Sequence, residues 1–320
     1  MDTLLDVQSV SKEFLLSKHF LKSRCEYLTA VNDVSLGLRR GESLGVVGES
    51  GSGKTTLGKM IAMLLRPTRG RILYEGRDIW NLPAREQKAL RKDIQMIFQD
   101  PFLSLDPTWT VERIIAEGLV VHGMVRRSER RDRVAELMAR IGLPEDMMAR
   151  KPHEFSGGQR QRIGIARALA TRPSVIIGDE PVSALDVSVQ AQVINLLGDI
   201  KESLGLSYII ISHDLAVIQH MCDRIAVLYL GQIVEIGETD AFYSNPLHPY
   251  SEALLRSVPS FEAGHSMFAC ELKGEIPSLT DIGSGCCFCR RCPSALPECF
   301  TERPPLRKIN EQAMVACHLR

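Results

Sequence analysis

The chain has 320 residues, 44% hydrophobic and 24% charged, which is enough apolar material for a full core and excludes wholesale disorder. Lys+Arg and Asp+Glu number 39 each, so the net charge is zero and nucleic-acid binding through an overall basic surface is excluded. No run of eighteen apolar residues occurs, so no membrane-spanning helix is expected. The N-terminal MDTLLDVQSVSKEF lacks the basic-then-apolar order of a signal peptide, which predicts a cytosolic chain.

In chain order, residues 4–10 alternate loosely and read as a strand, interrupted by residues 17–24 (SKHFLKSR), and residues 31–38 read as the next strand. Residues 43–47 are a short apolar run that ends in a glycine-rich turn. From Lys54 to Leu65 the apolar residues Leu57, Ile61, Leu64 and Leu65 recur at helical spacing, until Pro67 and Gly70 stop the pattern. Residues 71–74 resume a strand, and residues 107–150 have the periodicity of a helical insertion. Residues 175–178, 208–211 and 225–229 read as strands buried on both faces, with a helix over 191–204 between the first two. The pattern predicts an α/β fold with central parallel strands and an inserted helical lobe at about 100–165. After Pro246 prolines multiply and the cysteines gather, which places a boundary near 245–260 and divides the chain into 1–245 and 246–320. No internal repeat is present.

Two stretches carry phosphate chemistry. Gly48 to Thr55 (GESGSGKT) fits G-x-x-x-x-G-K-[ST], a P-loop whose backbone N–H groups turn inward around a phosphate while the next helix adds its positive end. Nucleotide contacts are assigned to Gly48, Ser50, Gly51, Ser52, Gly53, Lys54, Thr55 and Thr56, with Lys54 reaching the β- and γ-phosphates and the Thr55 hydroxyl on Mg²⁺. The run Val175-Ile-Ile-Gly-Asp179-Glu180 brings two carboxylates to the end of a buried strand. There Asp179 suits Mg²⁺, directly or through water, and Glu180 is suited to polarise an attacking water.

Phe155-Ser156-Gly157-Gly158-Gln159 precedes a helix expected to begin near Arg160, and this run closely resembles the signature of ATP-binding cassette (ABC) ATPases. The resemblance implies a P-loop NTPase core of the ABC type. It also implies that Ser156, Gly157, Gly158 and Gln159 close on ATP held by a second subunit. Gln99 in Met96-Ile-Phe-Gln-Asp then matches the Q-loop, which touches Mg²⁺ and faces the transporter. Ser183-Ala184-Leu185-Asp186 matches the D-loop at the dimer interface, and His213 matches the switch histidine at the γ-phosphate. Phe14 falls where the family places an aromatic on adenine, while a plain core role is the other reading of it. The catalytic set is thus Glu180, His213, Lys54 and Gln99.

The tail narrows the resemblance. Asn245-Pro-Leu-His-Pro-Tyr250, Gly274-Glu-Ile-Pro277 and Val315-Ala-Cys317-His318 look like the C-terminal extension of ATP-binding subunits in oligopeptide/dipeptide importers. The stretches 97–101 and 104–107 and the insert at 17–24 resemble the F-type member of the two ATPases such importers pair. Nickel, opine and glutathione importers share much of the pattern.

Six of the nine cysteines lie between Cys286 and Cys317. The resemblance implies that Cys286, Cys292, Cys299 and Cys317 hold an iron–sulfur cluster of the [4Fe–4S] kind. Cys287 and Cys289 add C-x-x-C spacings that keep zinc open, and a metal-free tail is the third reading. Arg290 and Arg291 either offset thiolate charge or form a solvated basic pair, and Cys25, Cys222 and Cys270 read as bystanders.

These residues imply an ATPase motor on the cytoplasmic face of the inner membrane, coupling ATP and Mg²⁺ at a subunit interface to peptide import. Its implied partners are a sister ATPase, two transmembrane permease subunits and, indirectly, an extracytoplasmic peptide-binding protein. A redox- or iron-sensing tail that gates the motor is a further reading. A non-transport ABC ATPase acting on ribosomes or DNA is the alternative from another class, and such proteins usually carry two ATPase units or a long coiled coil.

Overall fold

The first apolar alternation becomes a long strand, β1 (Thr3–Ser17), that pairs antiparallel with β2 (Glu26–Arg39). Leu5 and Val7 of β1 and Val34, Leu36 and Leu38 of β2 are buried, the every-second-residue pattern of a sheet with one face on a core, and a register shift between Val7 and Val10 brings Val10 back to that core. The structure is a computed structural model describing residues 3–17, 26–257, 277 and 283–320. Both strands run beyond the lengths expected from the sequence. Glu13 faces Thr29, Phe14 faces Leu28 and Leu15 faces Tyr27 in a ribbon whose Leu15, Leu16 and Tyr27 are exposed. Cross-strand pairing sustains that ribbon, which burial periodicity does not report. Apart from Ser17, the insert at 17–24 lies outside the described residues, as do Cys25, Cys270 and residues 274–276.

Next come β3 (Ser43–Val47), α1 (Lys54–Ile61), β4 (Arg69–Tyr74), β5 (Arg77–Asp78), α2 (Ala84–Leu90) and β6 (Ile94–Ile97). α1 stops four residues before the expected Leu65, because Met63 turns left-handed at φ 58° and the Leu64 and Leu65 N–H groups both bond back to the Lys59 carbonyl. The expected helical insertion is α3 (Pro101–Ser104), α4 (Val111–Val121), α5 (Arg130–Arg140) and α6 (Gly157–Ala170). Its core is built from Ile114, Ile115 and Leu119, from Val134, Leu137 and Met138, and from Ile163. Asp100 caps α3 by accepting the Phe102 and Leu103 N–H groups, and Arg167 of α6 donates to the Ser104 carbonyl at 2.5 Å.

The remaining elements are β7 (Val175–Asp179), α7 (Val187–Leu204), β8 (Ser207–Ser212), α8 (Leu215–Met221), β9 (Arg224–Tyr229), β10 (Gln232–Glu238), α9 (Thr239–Ser244), α10 (Pro249–Arg256), β11 (Arg307–Lys308) and β12 (Ala313–Val315). The large sheet has the order β11-β12-β10-β9-β3-β8-β7-β6. Strands β9, β3, β8, β7 and β6 are parallel, and β10, β12 and β11 extend the sheet antiparallel. Every residue of β3, β7 and β8 is buried. One face packs on α1 and on the smaller sheet of order β2-β1-β4-β5. The other packs on α6, α7 and α8. This is an α/β fold of the expected kind.

Past residue 245 the described chain stays on the same sheet and core. Ile236 of β10 faces Met314 of β12, Val315 is fully buried, and Phe288 joins Tyr229 and Tyr250 in one aromatic cluster. Val315→Asp puts a charge into that packing without a partner. It is expected to destabilise the whole chain by about 3 kcal/mol or more, read from the urea unfolding midpoint.

Candidate nucleotide site

Four parallel strands deliver their chemistry to one edge of the sheet, the edge where open α/β folds bind ligands. Gly48 follows β3, Asp179 ends β7, His213 follows β8 and Gln99 lies two residues beyond β6. The loop from 48 to 53 is pressed against the rest of the fold. A Cβ on Gly48 would sit 2.1 Å from the Leu228 carbonyl oxygen, and one on Gly53, at φ 100°, would sit 2.2 Å from that of Ala30. Glycine is required at both positions by space as well as by torsion. The Gly231 N–H donates to the Ser52 carbonyl at 2.8 Å and fixes the loop from the side.

Lys54 is buried and turns its ammonium onto the loop's own carbonyls, donating to Gly48 O at 2.7 Å and Glu49 O at 2.8 Å. Burial pushes its pKa below the ordinary value, and the carboxylates of Glu180, Asp179 and Glu49 oppose that shift. Asp179 is also buried, and burial raises its pKa. The Thr55 hydroxyl, donating to Asp179 Oδ1 at 2.9 Å, partly offsets this. A hydroxyl, a carboxylate and an amide oxygen from Thr55, Asp179 and Gln99 form the hard oxygen donor set that Mg²⁺ takes, so these residues fit that ion.

Glu180 takes a left-handed backbone at φ 47°, which costs a non-glycine residue about 1–2 kcal/mol. Its N–H donates to the Ile211 carbonyl at 2.8 Å, so β8 holds the turn. Two side chains converge on its carboxylate. Gln99 Nε2 donates to Oε2 at 2.7 Å, and His213 Nδ1 lies 3.1 Å from Oε1. Gln99, Glu180 and His213 thus form one cluster beside the phosphate loop.

The 156–159 run is elsewhere. Ser156 caps α6, which begins three residues before the expected Arg160. Its hydroxyl accepts the Gln159 N–H, and its own N–H donates to Gln159 Oε1 at 3.0 Å, a reciprocal cap. Gly157 and Gly158 lie against Leu185 and Val189, next to exposed Asp186 at the start of α7. Among the described residues no hydrogen bond joins Ser156 to the 48–55 loop. Phe14 is half-buried on β1, with the Lys12 ammonium 5.4 Å from its ring centroid.

The cysteines do not assemble as the sequence suggests. Among the described residues no three His, Cys, Asp or Glu side chains form a metal-binding group, so Cys286, Cys292, Cys299 and Cys317 do not converge as a ligand shell. Cys286 and Cys287 pair through their side chains, which lowers the first thiol's pKa and raises the second's. Burial raises the pKa of Cys289, Cys292 and Cys317. Since no three of these side chains are placed to hold a metal ion, no chemistry is assigned through an iron–sulfur cluster or a zinc site.

Four residues at the site were not found from the sequence. Glu49 accepts both Arg291 terminal nitrogens, Tyr229 accepts one of them, and Tyr250 Oη accepts the Glu49 N–H at 2.9 Å. Arg291 is therefore neither a thiolate counter-charge nor a solvated cation. The signal was an acidic residue inside a loop built for phosphate, which calls for a counter-charge nearby.

The family model described as ABC transporter matches residues 31–183, and that described as oligopeptide/dipeptide transporter, C-terminal region, matches 234–299. The oligopeptide transport ATP-binding protein AppF of Bacillus subtilis (strain 168) is 48% identical over 321 residues, covering 99% of this chain and 98% of AppF. A putative peptide import ATP-binding protein of Brucella ovis is 48% identical over 302 residues, covering 94% of this chain and 95% of that protein. Among solved structures, the dimeric ATP-binding cassette MJ0796 in a post-hydrolysis state bound to ADP and Pi aligns with TM-score 0.66 at 30% identity, covering 73% of this chain and 98% of that one. CbiO1 of Clostridium perfringens, part of the transporter complex cbiONQ, aligns with TM-score 0.65 at 28% identity, covering 77% of this chain and 92% of that one.

Because burial raises the Asp179 pKa, ionised Asp179 is the costly form, and this group adds stability as pH falls through its raised value. Asp179→Asn removes that cost at neutral pH. It is expected to raise the unfolding temperature of the nucleotide-free chain while lowering Mg²⁺-dependent ATP hydrolysis at least about 100-fold, as calorimetry and a phosphate-release assay would show.

Proposed function

This chain belongs to the ATP-binding subunits of ABC peptide importers, and from that premise we propose how its residues divide the work of the motor. It hydrolyses ATP and drives peptide import. The carrying observation is the separation of two anion-binding helix starts on one chain. Lys54 and the loop of 48–55 serve α1, while Ser156 and Gln159 begin α6 beside exposed Asp186. A site completed by a second ATPase explains that layout. Two ATP molecules are sandwiched, each between one subunit's phosphate loop and the other's 156–159 run. The dimeric state named for MJ0796 supports this arrangement by likeness.

In the closed site Lys54 leaves the carbonyls of Gly48 and Glu49 for the β- and γ-phosphates, and the freed loop N–H groups face the phosphate oxygens. Thr55, Asp179 and Gln99 would hold Mg²⁺, which would supply charge neutralisation for the transferring phosphoryl group. Glu180 orients and polarises the attacking water, and His213 swings from Glu180 towards the γ-phosphate. Catalysis is positioning and charge neutralisation, as phosphoryl transfer requires. Phe14 offers its ring to the adenine.

The second ATPase is a sister subunit, in keeping with the F-type resemblance. Two permease subunits dock on the helical lobe. Phe102 and Leu103 of α3 and Val120 and Val121 of α4 are exposed there, beside a groove of about 280 Å³ whose lining includes Leu64, Phe98 and Arg167. No helix among the described residues is long and apolar enough to cross a membrane, which suits peripheral attachment to the inner membrane's cytoplasmic face through those permeases. Peptide selection falls to an extracytoplasmic binding protein.

Glu180→Gln is expected to keep MgATP affinity within about threefold, lower turnover by at least about 100-fold and accumulate an ATP-bound dimer with the sister subunit. Unchanged hydrolysis in the reconstituted importer would remove Glu180 from its role. Leu103→Glu is expected to leave basal hydrolysis of the isolated ATPases intact and to abolish co-purification with the permeases. Co-purification with ribosomes instead would support the non-transport alternative.

A further inference from the structure

Glu49 places a carboxylate inside the phosphate loop, next to the position a polyanionic nucleotide must occupy. Left alone, that charge opposes binding, because like charges a few ångströms apart repel strongly where solvent is partly excluded. The chain answers it from far away in sequence. Arg291 Nη1 donates to Glu49 Oε2 at 2.7 Å and Nη2 to Oε1 at 3.0 Å, a two-pronged guanidinium–carboxylate pair. The Arg291 side chain is only 5% exposed, and Nη1 also donates to the Tyr229 hydroxyl at 3.3 Å.

The backbone of Glu49 is tied by the same part of the fold. Its N–H donates to the Tyr250 hydroxyl, and its carbonyl receives Lys54 Nζ. Tyr250 is placed in turn by the 245–250 run. Glu235, itself 2% exposed, accepts the N–H groups of Leu247 and His248, and His248 Nδ1 accepts the Tyr250 N–H at 3.0 Å. Phe288, three residues before Arg291, packs edge-on against Tyr229 with ring centroids 5.3 Å apart.

We infer that Arg291 is a positioning residue for nucleotide binding: the extension beyond residue 245 neutralises Glu49 and holds the phosphate loop open for the triphosphate. Arg291 acts through Glu49 and touches no reacting atom, so its loss weakens nucleotide affinity and leaves the chemical step alone. The inference rests on the phosphate-loop reading. A wild-type chain that fails to bind MgATP would sink that reading, whereas comparison among variants bears on the clamp alone.

The test is titration of the full-length chain with MgATP, together with steady-state hydrolysis by the assembled importer. Arg291→Met is expected to raise Kd and KM about tenfold with kcat changed less than about twofold. Adding Glu49→Gln to Arg291→Met removes the unpaired anion and is expected to recover at least about threefold of the lost affinity, which general damage to the fold does not predict. Wild-type affinity in Arg291→Met, or a double variant as weak as the single one, overturns the proposal. Should Arg291→Met fail to fold, Arg291→Lys keeps the charge without the two-pronged geometry. It is expected to raise KM about threefold at unchanged kcat, and a wild-type KM there overturns the proposal equally.

Discussion

Strand β3 is flanked by β8 on one side and β9 on the other, all three parallel, and the edge that gathers the 48–55 loop and His213 depends on that pairing. Parallel strands point their carboxyl ends the same way, so the loops that leave those ends meet at one edge. The 48–55 loop, His213 and, one strand further out on β7, the two carboxylates become neighbours although they lie far apart along the sequence. Full burial of β3, β7 and β8 fixes their register, because a shift of one residue would turn each strand's side chains to the opposite face.

Within that frame the polar groups of the site are paired with one another. Lys54 occupies the loop's carbonyls, Asp179 accepts from Thr55, and Gln99 and His213 share the Glu180 carboxylate. Each bond satisfies a polar group that would otherwise be costly where water is scarce. Each also has to be exchanged when nucleotide arrives. In the proposed mechanism this paired network trades its internal bonds for bonds to phosphate, magnesium and a facing subunit. This couples binding energy to shape.

Much of this was legible in the sequence because it is local. A phosphate loop, a strand ending in Asp179-Glu180, and Ser156 three residues before Gln159 are each contiguous, and backbone geometry over a few residues dictates what they do. The limits of β1 and α1 were less legible. Cross-strand pairing of the 13–15 stretch and the left-handed turn at Met63 leave no mark on hydrophobic period. The cysteine spacing suggested a ligand shell, yet spacing fixes only how far apart thiols lie along the chain. Where they point depends on packing, which spacing does not report. The pairing of Glu49 with Arg291 spans 242 positions, beyond the reach of any local rule.

That span has a consequence for biosynthesis. A ribosome adding about 5–20 residues per second needs roughly 10–50 s to travel from Glu49 to Arg291. Throughout that interval the nascent loop lacks its guanidinium cap, and the sheet edge at β10 lacks β12. Exposed strand edges invite pairing with other chains. A message cut short before the last fifty codons would thus yield a polypeptide with an open edge and an uncapped loop, a natural client for chaperones and proteases.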